Sequence, residues 1–571
     1  MKPLIYQIFT RLYGNQSQGK NVPNGTIEQN GCAKLNDITS AQLNRISSYG
    51  FTHVWLTGLI EHATQTDYSS YGILADHPAV VKGRAGSPYA IKDYYDIDPD
   101  LATDVNKRMK EFEQLLKRTH QAGLKMVIDF VPNHVARQYQ SDAAPKGVRG
   151  LGEDDDTSKS FSPQNNFYYL EGQTLHTDFD TERRAPQPYR EYPAKATGND
   201  CFSAWPSRND WYETVKLNYG IDYQGGRQTY FDPIPSTWTK MTDILLFWAK
   251  KGVDAFRCDM AEMVPAEFWA YATSKVKKAF PKVQFIAEVY NPAEYRRYIS
   301  SGFDYLYDKV GLYDTLRAII TEGRSASCIT GCWQSIDDIR DHMLNFLENH
   351  DEQRIASAFF AGDAKKALPA LVVSAMMGNN PFMVYAGQEI GEAGMEAEGF
   401  SGMDGRTTIF DYWRVGSLNK LTSAHIDKEL TTEEAQLYRY YKRVLTLCKS
   451  ETALNDGIFY DLQYANYTRD TGYNCDRQYA FIRKAQKGQT LLVVANFDAH
   501  AVHVGVRIPE HAFSFLSLKP GMTSAVDLLS GNLQTLELKQ DCLTYVEVPV
   551  YGAVVLQISK SRKGSADISG W

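Results

Sequence analysis

Arg257 and Asp259 stand two residues apart in Gly252-Val-Asp-Ala-Phe-Arg-Cys-Asp-Met-Ala-Glu-Met263. The first half of this stretch reads as a short parallel β-strand, entered after a helix that ends in Lys250-Lys251-Gly252. Alternate residues of a strand share a face. Ala255, Arg257 and Asp259 therefore point one way and Phe256 and Cys258 the other. An ion pair on an exposed strand is the plain alternative, because paired charges are common structural features. Three further segments weigh against it. One strand ends in Asp129-Phe-Val-Pro-Asn-His134, another in Glu288 and a later one in Glu348-Asn-His-Asp351. Asp259, Glu288 and Asp351, with His134, His350 and Arg257, come from four strand ends. Gathered at one mouth, such groups can move protons and stabilise developing charge.

Bringing strand ends together requires a shared sheet. The first ~130 residues read β-α-β-α-β: Pro3–Thr10, a helix around Leu43, Ile46 and Tyr49, Thr52–Thr57, a helix capped by Thr103, and Lys125–Val131. That is the pattern of a parallel sheet with helices outside. It resumes with a helix using Trp238, Met241, Leu245 and Trp248, then strands at Gln284–Val289, Phe303–Tyr307, Met343–Leu347 and Pro381–Tyr385. Eight strands with helices between them predict a (β/α)₈ barrel (TIM barrel) over 1–134 and 231–445, whose chemistry sits at the strands' C-terminal ends. Residues 135–230 are aperiodic and too long for an ordinary loop, so they are expected to form an inserted domain. Short β runs beyond 446, at Gln478–Arg483, Leu491–Phe497, Val502/Val504/Val506/Ile508 and Ala553–Ile558, predict a C-terminal antiparallel β-sandwich to about 560, followed by a polar, mobile tail at 561–571.

Composition narrows the partners. The chain of 571 residues carries a net charge of -7 with no basic block, which disfavours nucleic acid and anionic membranes. Its 36 Tyr and 9 Trp suit flat, half-polar ligands such as sugar rings, alongside core packing. The eight cysteines are scattered and imply no disulfide framework. No stretch is long and apolar enough to span a bilayer. The start lacks an export signal, so a cytoplasmic protein is expected, or a periplasmic or secreted one if the sequence is a trimmed mature form. Oligomeric state is not legible.

The motifs resemble those of the alpha-amylase family, glycoside hydrolase family 13. Asp129–His134, Phe256–Asp259, Ile286–Glu288 and Phe346–Asp351 are similar to its four motifs, in order. Pro381–Glu389 resembles its strand-eight signature and Tyr89–Tyr95 the loop after its second strand. The resemblance implies a retaining hydrolase cleaving α-1,4-glucosidic bonds in starch-like glucans or maltooligosaccharides. Such chemistry uses a nucleophilic carboxylate and a protonated carboxyl roughly 5–5.5 Å apart. By resemblance Asp259 is the nucleophile, kept ionised by Arg257. Glu288 is the general acid and then base, a role that needs a raised pKa. Asp351 holds sugar hydroxyls and favours the oxocarbenium-like transition state. Tyr89 stacks on the sugar, His134 and His350 hydrogen-bond it, and Arg354 reaches the neighbouring sugar or fixes Asp351. Asp129 orders the catalytic loop.

No cofactor is implied for the chemistry itself. A structural calcium is compatible with the resemblance: Asn133 matches a usual ligand position and Leu217-Asn218 resembles the insert motif that supplies another. The acidic run Asp154–Asp156 is expected to be a solvated loop. Where many α-amylases carry Lys-His after the nucleophile, this chain has Glu262-Met263, which alters the leaving-group side. The alternatives are a glucanotransferase, or an oligosaccharide α-glucosidase or neopullulanase, of the same family. A non-catalytic sugar-binding barrel should lack one of the three carboxylates, and this chain keeps all three. Tyr460, Tyr464 and Tyr467 are candidates for a starch-surface site, with core packing the plainer expectation.

Overall fold

The computed structural model describes residues 2–177, 187–468 and 471–558. Eight parallel strands close a barrel: β1 (Leu4–Phe9), β2 (His53–Thr57), β3 (Lys125–Phe130), β4 (Ala255–Cys258), β5 (Gln284–Ala287), β6 (Tyr305–Tyr307), β7 (Met343–Phe346) and β8 (Phe382–Tyr385). Each pairs with its sequence neighbours, and β8 returns to β1. The strands are almost entirely buried, as sheets covered on both faces require. Between them, helices such as Ser236–Lys251 and Ala266–Ala279 pack Trp248 and Trp269 into the core with under 2% exposure. Trp269 also donates its indole N–H to the carbonyl of Ala261 at 3.1 Å, pinning the loop that follows β4.

Register sets the site. Arg257 lies level with Asp129 across the β3–β4 pair and with Ile286 across β4–β5. The ladders run one residue beyond the strands, through Asp259 N–H to Phe130 O (2.9 Å) and Glu288 N–H to Cys258 O (3.1 Å). Asp259 and Glu288 are thus fixed by backbone bonds at adjacent strand ends. Gly252, with φ +105°, turns the chain from helix Ser236–Lys251 toward β4 in a conformation costly for any residue with a Cβ.

The helix expected from Thr103 instead runs Arg108–Gln121, preceded by a short turn of 3₁₀-helix capped by Asp104. Thr103 donates its N–H to Glu111 and caps nothing. Among its described residues the aperiodic stretch holds three two-stranded pairs, the first joining His134–Ala136 to Thr214–Lys216. Asp154 and Asp156 pair with Arg149 and Lys159 at the surface. Asp155, however, is no solvated loop residue: it accepts the N–H groups of Asn166 and Phe167 and the hydroxyl of Tyr169.

The C-terminal region forms β9 (Ile458–Asp461), β10 (Gln478–Lys484), β11 (Thr490–Asn496), β12 (Val502–Arg507), β13 (Gly521–Asp527), β14 (Leu533–Leu538), β15 (Leu543–Val548) and β16 (Gly552–Ile558). Six make one antiparallel sheet, in the order β9-β10-β11-β16-β13-β14, while β12 pairs with β15. Sequence reading recovered β10, β11, β12 and β16. The strands it missed include β14 and β15, which bury alternate residues and turn Leu533, Thr535 and Glu537, or Tyr545 and Glu547, toward solvent. Arg483 of β10 locks this sheet to the barrel by donating to Met377 O and Ala453 O (2.7 and 3.0 Å). Tyr460 is buried, whereas Tyr464 and Tyr467 are exposed. The tail expected at 561–571 lies outside the described residues. Among those described, no helix is long and apolar enough to cross a membrane.

Candidate functional site

A fully buried guanidinium organises the C-terminal mouth of the barrel. Arg257 Nη1 contacts Asp259 Oδ1 at 2.8 Å and Asp129 Oδ1 at 3.2 Å, and Nη2 contacts Glu288 Oε2 at 2.9 Å. Its Nε donates to the Tyr307 hydroxyl at 3.0 Å. The rings of Trp55, Tyr89 and Tyr307 lie 5.3–5.5 Å from it, adding cation–π attraction in a desolvated setting. Removing the guanidinium would leave its buried carboxylates uncompensated, a loss that costs about 3–5 kcal/mol. Asp129 also accepts the Trp55 indole N–H at 3.0 Å, and its contacts are with the framework.

Glu288 is held asymmetrically. Its Oε2 accepts the backbone N–H of Met260 at 2.8 Å and faces Arg257, while Oε1 bonds the Tyr290 hydroxyl. Two donors on Oε2 leave Oε1 as the oxygen that can carry a proton. Met260 sits in the left-handed region at φ +43°, an uncommon place for a residue with a side chain. That turn aims its N–H at Glu288.

Asp351 is the more open carboxylate, its side chain about one-third exposed, with Oδ2 3.1 Å from His350 Nε2. His350 also bonds the Tyr89 hydroxyl, and its Nδ1 lies 2.8 Å from the Gln7 amide. His134 packs its ring against Trp211, with centroids 5.2 Å apart. Burial keeps both imidazoles neutral, pulling His134 down to about 3 and His350 well below its ordinary value.

Tyr89, His134, Asp259, Glu288 and Asp351 line one cavity of about 330 Å³, within the range of small-molecule sites. Arg257 lies beneath it. Arg354 does not line it. It is fully buried, donates to Glu348 Oε2 (2.9 Å), Ala386 O (3.0 Å) and Thr407 Oγ1 (2.8 Å), and stacks on Tyr385. The expectation that Arg354 reaches a sugar or fixes Asp351 is therefore corrected: Arg406 binds the Asp351 carbonyl, at 2.7 Å. Sequence reading missed Trp211, Tyr290, Phe400 and Phe410 as lining residues. Tyr290 stands two residues after Glu288, a spacing that could have flagged it. The other three come from aperiodic segments that carry no such signal. Glu262, in place of the common Lys, accepts the Asn291 N–H at 3.0 Å.

Burial, then the nearby Glu288 charge, pushes Asp259 well above the ordinary carboxylate range, and Arg257 opposes both. Arg257 is thus not the dominant influence on Asp259. Burial and Glu288 likewise push Asp351 up to about 7, and burial pushes Asp129 up to about 6. Asp259 and Asp351, each raised by the charges around it, titrate together with their neighbours and not as isolated groups. A raised carboxyl is protonated below its pKa, so a reaction needing ionised Asp259 and Asp351 gains rate as pH rises through the limb. The acid limb of kcat/KM on a maltooligosaccharide, which reports the free enzyme, is expected near neutrality. A limb at about pH 4, where ordinary carboxylates titrate, would contradict this electrostatic picture.

Two places bear on metals. Asn133 Oδ1 already accepts from the Lys216 ammonium at 2.9 Å. Asn218 Oδ1 accepts the Gly220 N–H and its Nδ2 donates to Ser162 O, both at 2.8 Å. With these partners the two do not fit the calcium-ligand positions they resemble in sequence. Elsewhere, Glu61, Asp93, Asp96 and Asp142 bring carboxylate oxygens within 4.8 Å of one another. Asp93 already accepts four donors there, and Asp96 is paired with Arg108. Burial and the neighbouring aspartates push Glu61 up to about 10.

Comparison with known proteins is consistent with this geometry. The family model described as "Alpha amylase, catalytic domain" matches residues 7–297 and 326–442. Alpha-amylase 3 of Dictyoglomus thermophilum is 25% identical over 405 residues, 65% of this chain and 68% of that protein. Neopullulanase 2 of Thermoactinomyces vulgaris is 22% identical over 397 residues, 68% of this chain and 57% of its own length. Among solved structures, the noncanonic maltogenic alpha-amylase AmyB from Thermotoga neapolitana aligns over 98% of this chain and 99% of its own, with TM-score 0.62 and 18% identity. The acarbose complex of the Geobacillus thermoleovorans alpha-amylase has the same coverage and TM-score at 19% identity. At these identities the structural likeness speaks for the fold.

Proposed function

We propose that this chain, which belongs to the alpha-amylase family of glycosidases, hydrolyses α-1,4-glucosidic bonds of maltooligosaccharides or starch-like glucans with retention. One observation carries the reading: a single guanidinium holds Asp259 on one nitrogen and Glu288 on the other, beside Asp351, at a sugar-sized cavity. Carboxyls tethered that closely suit the roughly 5–5.5 Å of a retaining pair better than the roughly 6.5–9.5 Å of an inverting one. In this reading Asp259 attacks the anomeric carbon, the bond to the leaving oxygen breaks, and the proton on Glu288 Oε1 goes to that oxygen. Glu288, now ionised, takes a proton from water, whose oxygen displaces Asp259. Asp351, beside His350 and its bonded Tyr89, holds hydroxyls of the reacting ring, and His134 and Trp211 form the adjoining wall.

The same proposal divides the chain into a barrel (1–134 and 231–445), an insert (135–230) and a C-terminal sandwich (446–560). Eight unpaired cysteines suit a reducing compartment such as the cytoplasm.

A timed product profile on maltoheptaose, with soluble starch, pullulan and sucrose alongside, tests the specificity. Shorter maltooligosaccharides with early loss of starch viscosity are expected. Products longer than the substrate would establish a glucanotransferase, and glucose as the sole product an exo-acting α-glucosidase. No turnover of any of the four would refute the hydrolase reading.

A further inference from the structure

Lys216 is buried at 2% exposure inside the insert, where an unpaired ammonium would be costly. Its surroundings are built to receive one. Nζ lies 2.5 Å from Asp200 Oδ1 and 2.9 Å from Asn133 Oδ1, and 5.0 Å above the ring of Tyr223. Asp200 presents its carboxylate from a left-handed backbone, φ +65°, a strained conformation maintained by the structure around it.

These contacts join two parts of the chain that lie far apart in sequence. Asn133 sits just past β3, directly before His134 of the cavity wall. Lys216 pairs in register with His134, Leu217 N–H bonds Asn133 O at 2.9 Å, and Asn133 Nδ2 donates to Gly198 O at 2.7 Å. Gly198 lies so close that a Cβ there would stand 2.8 Å from the His134 Cβ. The end of β3 and two segments of the insert therefore meet around one positive charge. Calcium takes six to eight oxygen ligands. An ammonium has three protons, which the two oxygens and the ring face here are placed to receive.

We propose that Lys216 supplies from within the chain the cation that joins the end of β3 to the insert, so that this joint is independent of divalent metal. The proposal concerns the joint's stability and stands or falls separately from the assignment of the reaction.

The test is the melting temperature of the full chain and its rate of clipping within the insert by a protease. After dialysis against EDTA the wild type is expected to melt as it does in millimolar calcium. Lys216→Met, which keeps the length and removes the charge, is expected to melt several degrees lower in EDTA and to be clipped faster. Lys216→Arg, which keeps the charge, is expected to fall between the two. If Lys216→Met does not fold, the wild-type and Lys216→Arg measurements carry the test. An unchanged melting temperature in Lys216→Met overturns the proposal. So does an EDTA-induced fall in the wild type that disappears in Asn133→Leu, since a metal would then share Asn133 with the ammonium.

Discussion

Asp259→Asn is expected to abolish turnover of maltoheptaose, by on the order of 10⁴-fold or more in kcat, the scale on which removing one member of a covalent catalytic unit acts. The substitution is close to isosteric, and its amide oxygen can still face Arg257 Nη1. It removes one negative charge from a buried set that shares a single cation. Arg257 keeps Asp129 and Glu288 as partners, so no buried charge is orphaned. The variant should therefore fold and melt close to the wild type while losing the covalent step. Folding and chemistry are separated by the pair of measurements: melting temperature on one side, kcat on the other. A fluorinated glucosyl donor, whose glycosyl-enzyme breaks down slowly, should label the wild type at Asp259 and leave Asp259→Asn unlabelled. Label on another residue would refute the nucleophile assignment.

Much of this site was legible because its residues sit at strand ends. There, period-2 alternation and strand order fix direction, and one backbone bond beyond the ladder fixes position, as with Asp259 and Glu288. Arg354 shows where such reading stops. It follows Asp351 by three residues, yet the chain turns after β7 and sends the side chain inward to Glu348 and Thr407. Proximity in sequence says nothing of side-chain direction in a loop. Lys216 shows the opposite failure. It is a lone lysine in an aperiodic stretch, and its meaning appears only when Asp200 and Asn133 are brought to it from 16 and 83 residues away. The fold followed the same rule. Strands buried on both faces were read from apolar runs, while β14 and β15, whose inward faces begin with Gln534 and Thr544, were lost because the alternation is broken there.

Glu288→Gln is expected to lower kcat/KM on maltoheptaose by roughly 10²–10⁴-fold, the usual worth of a positioned acid–base group. The geometry also dictates how the amide would sit. Oε2 faces two donors, Met260 N–H and Arg257 Nη2, so the glutamine must place its oxygen there and its NH₂ toward Tyr290. Tyr290 can accept from it, so the site stays hydrogen-bonded and the loss is one of proton supply. That distinguishes the acid role from a structural one. An α-glucosyl fluoride, whose leaving group departs with little help from a proton, should form the glycosyl-enzyme at a rate much closer to the wild type. Release from that intermediate should remain slow, because no base activates water, and an added anion such as azide, which needs no base, should restore it. Equal loss on maltoheptaose and on the fluoride, with no rescue by azide, would mean that Glu288 only braces Arg257 and Met260. Undiminished hydrolysis of maltoheptaose would remove Glu288 from the mechanism altogether.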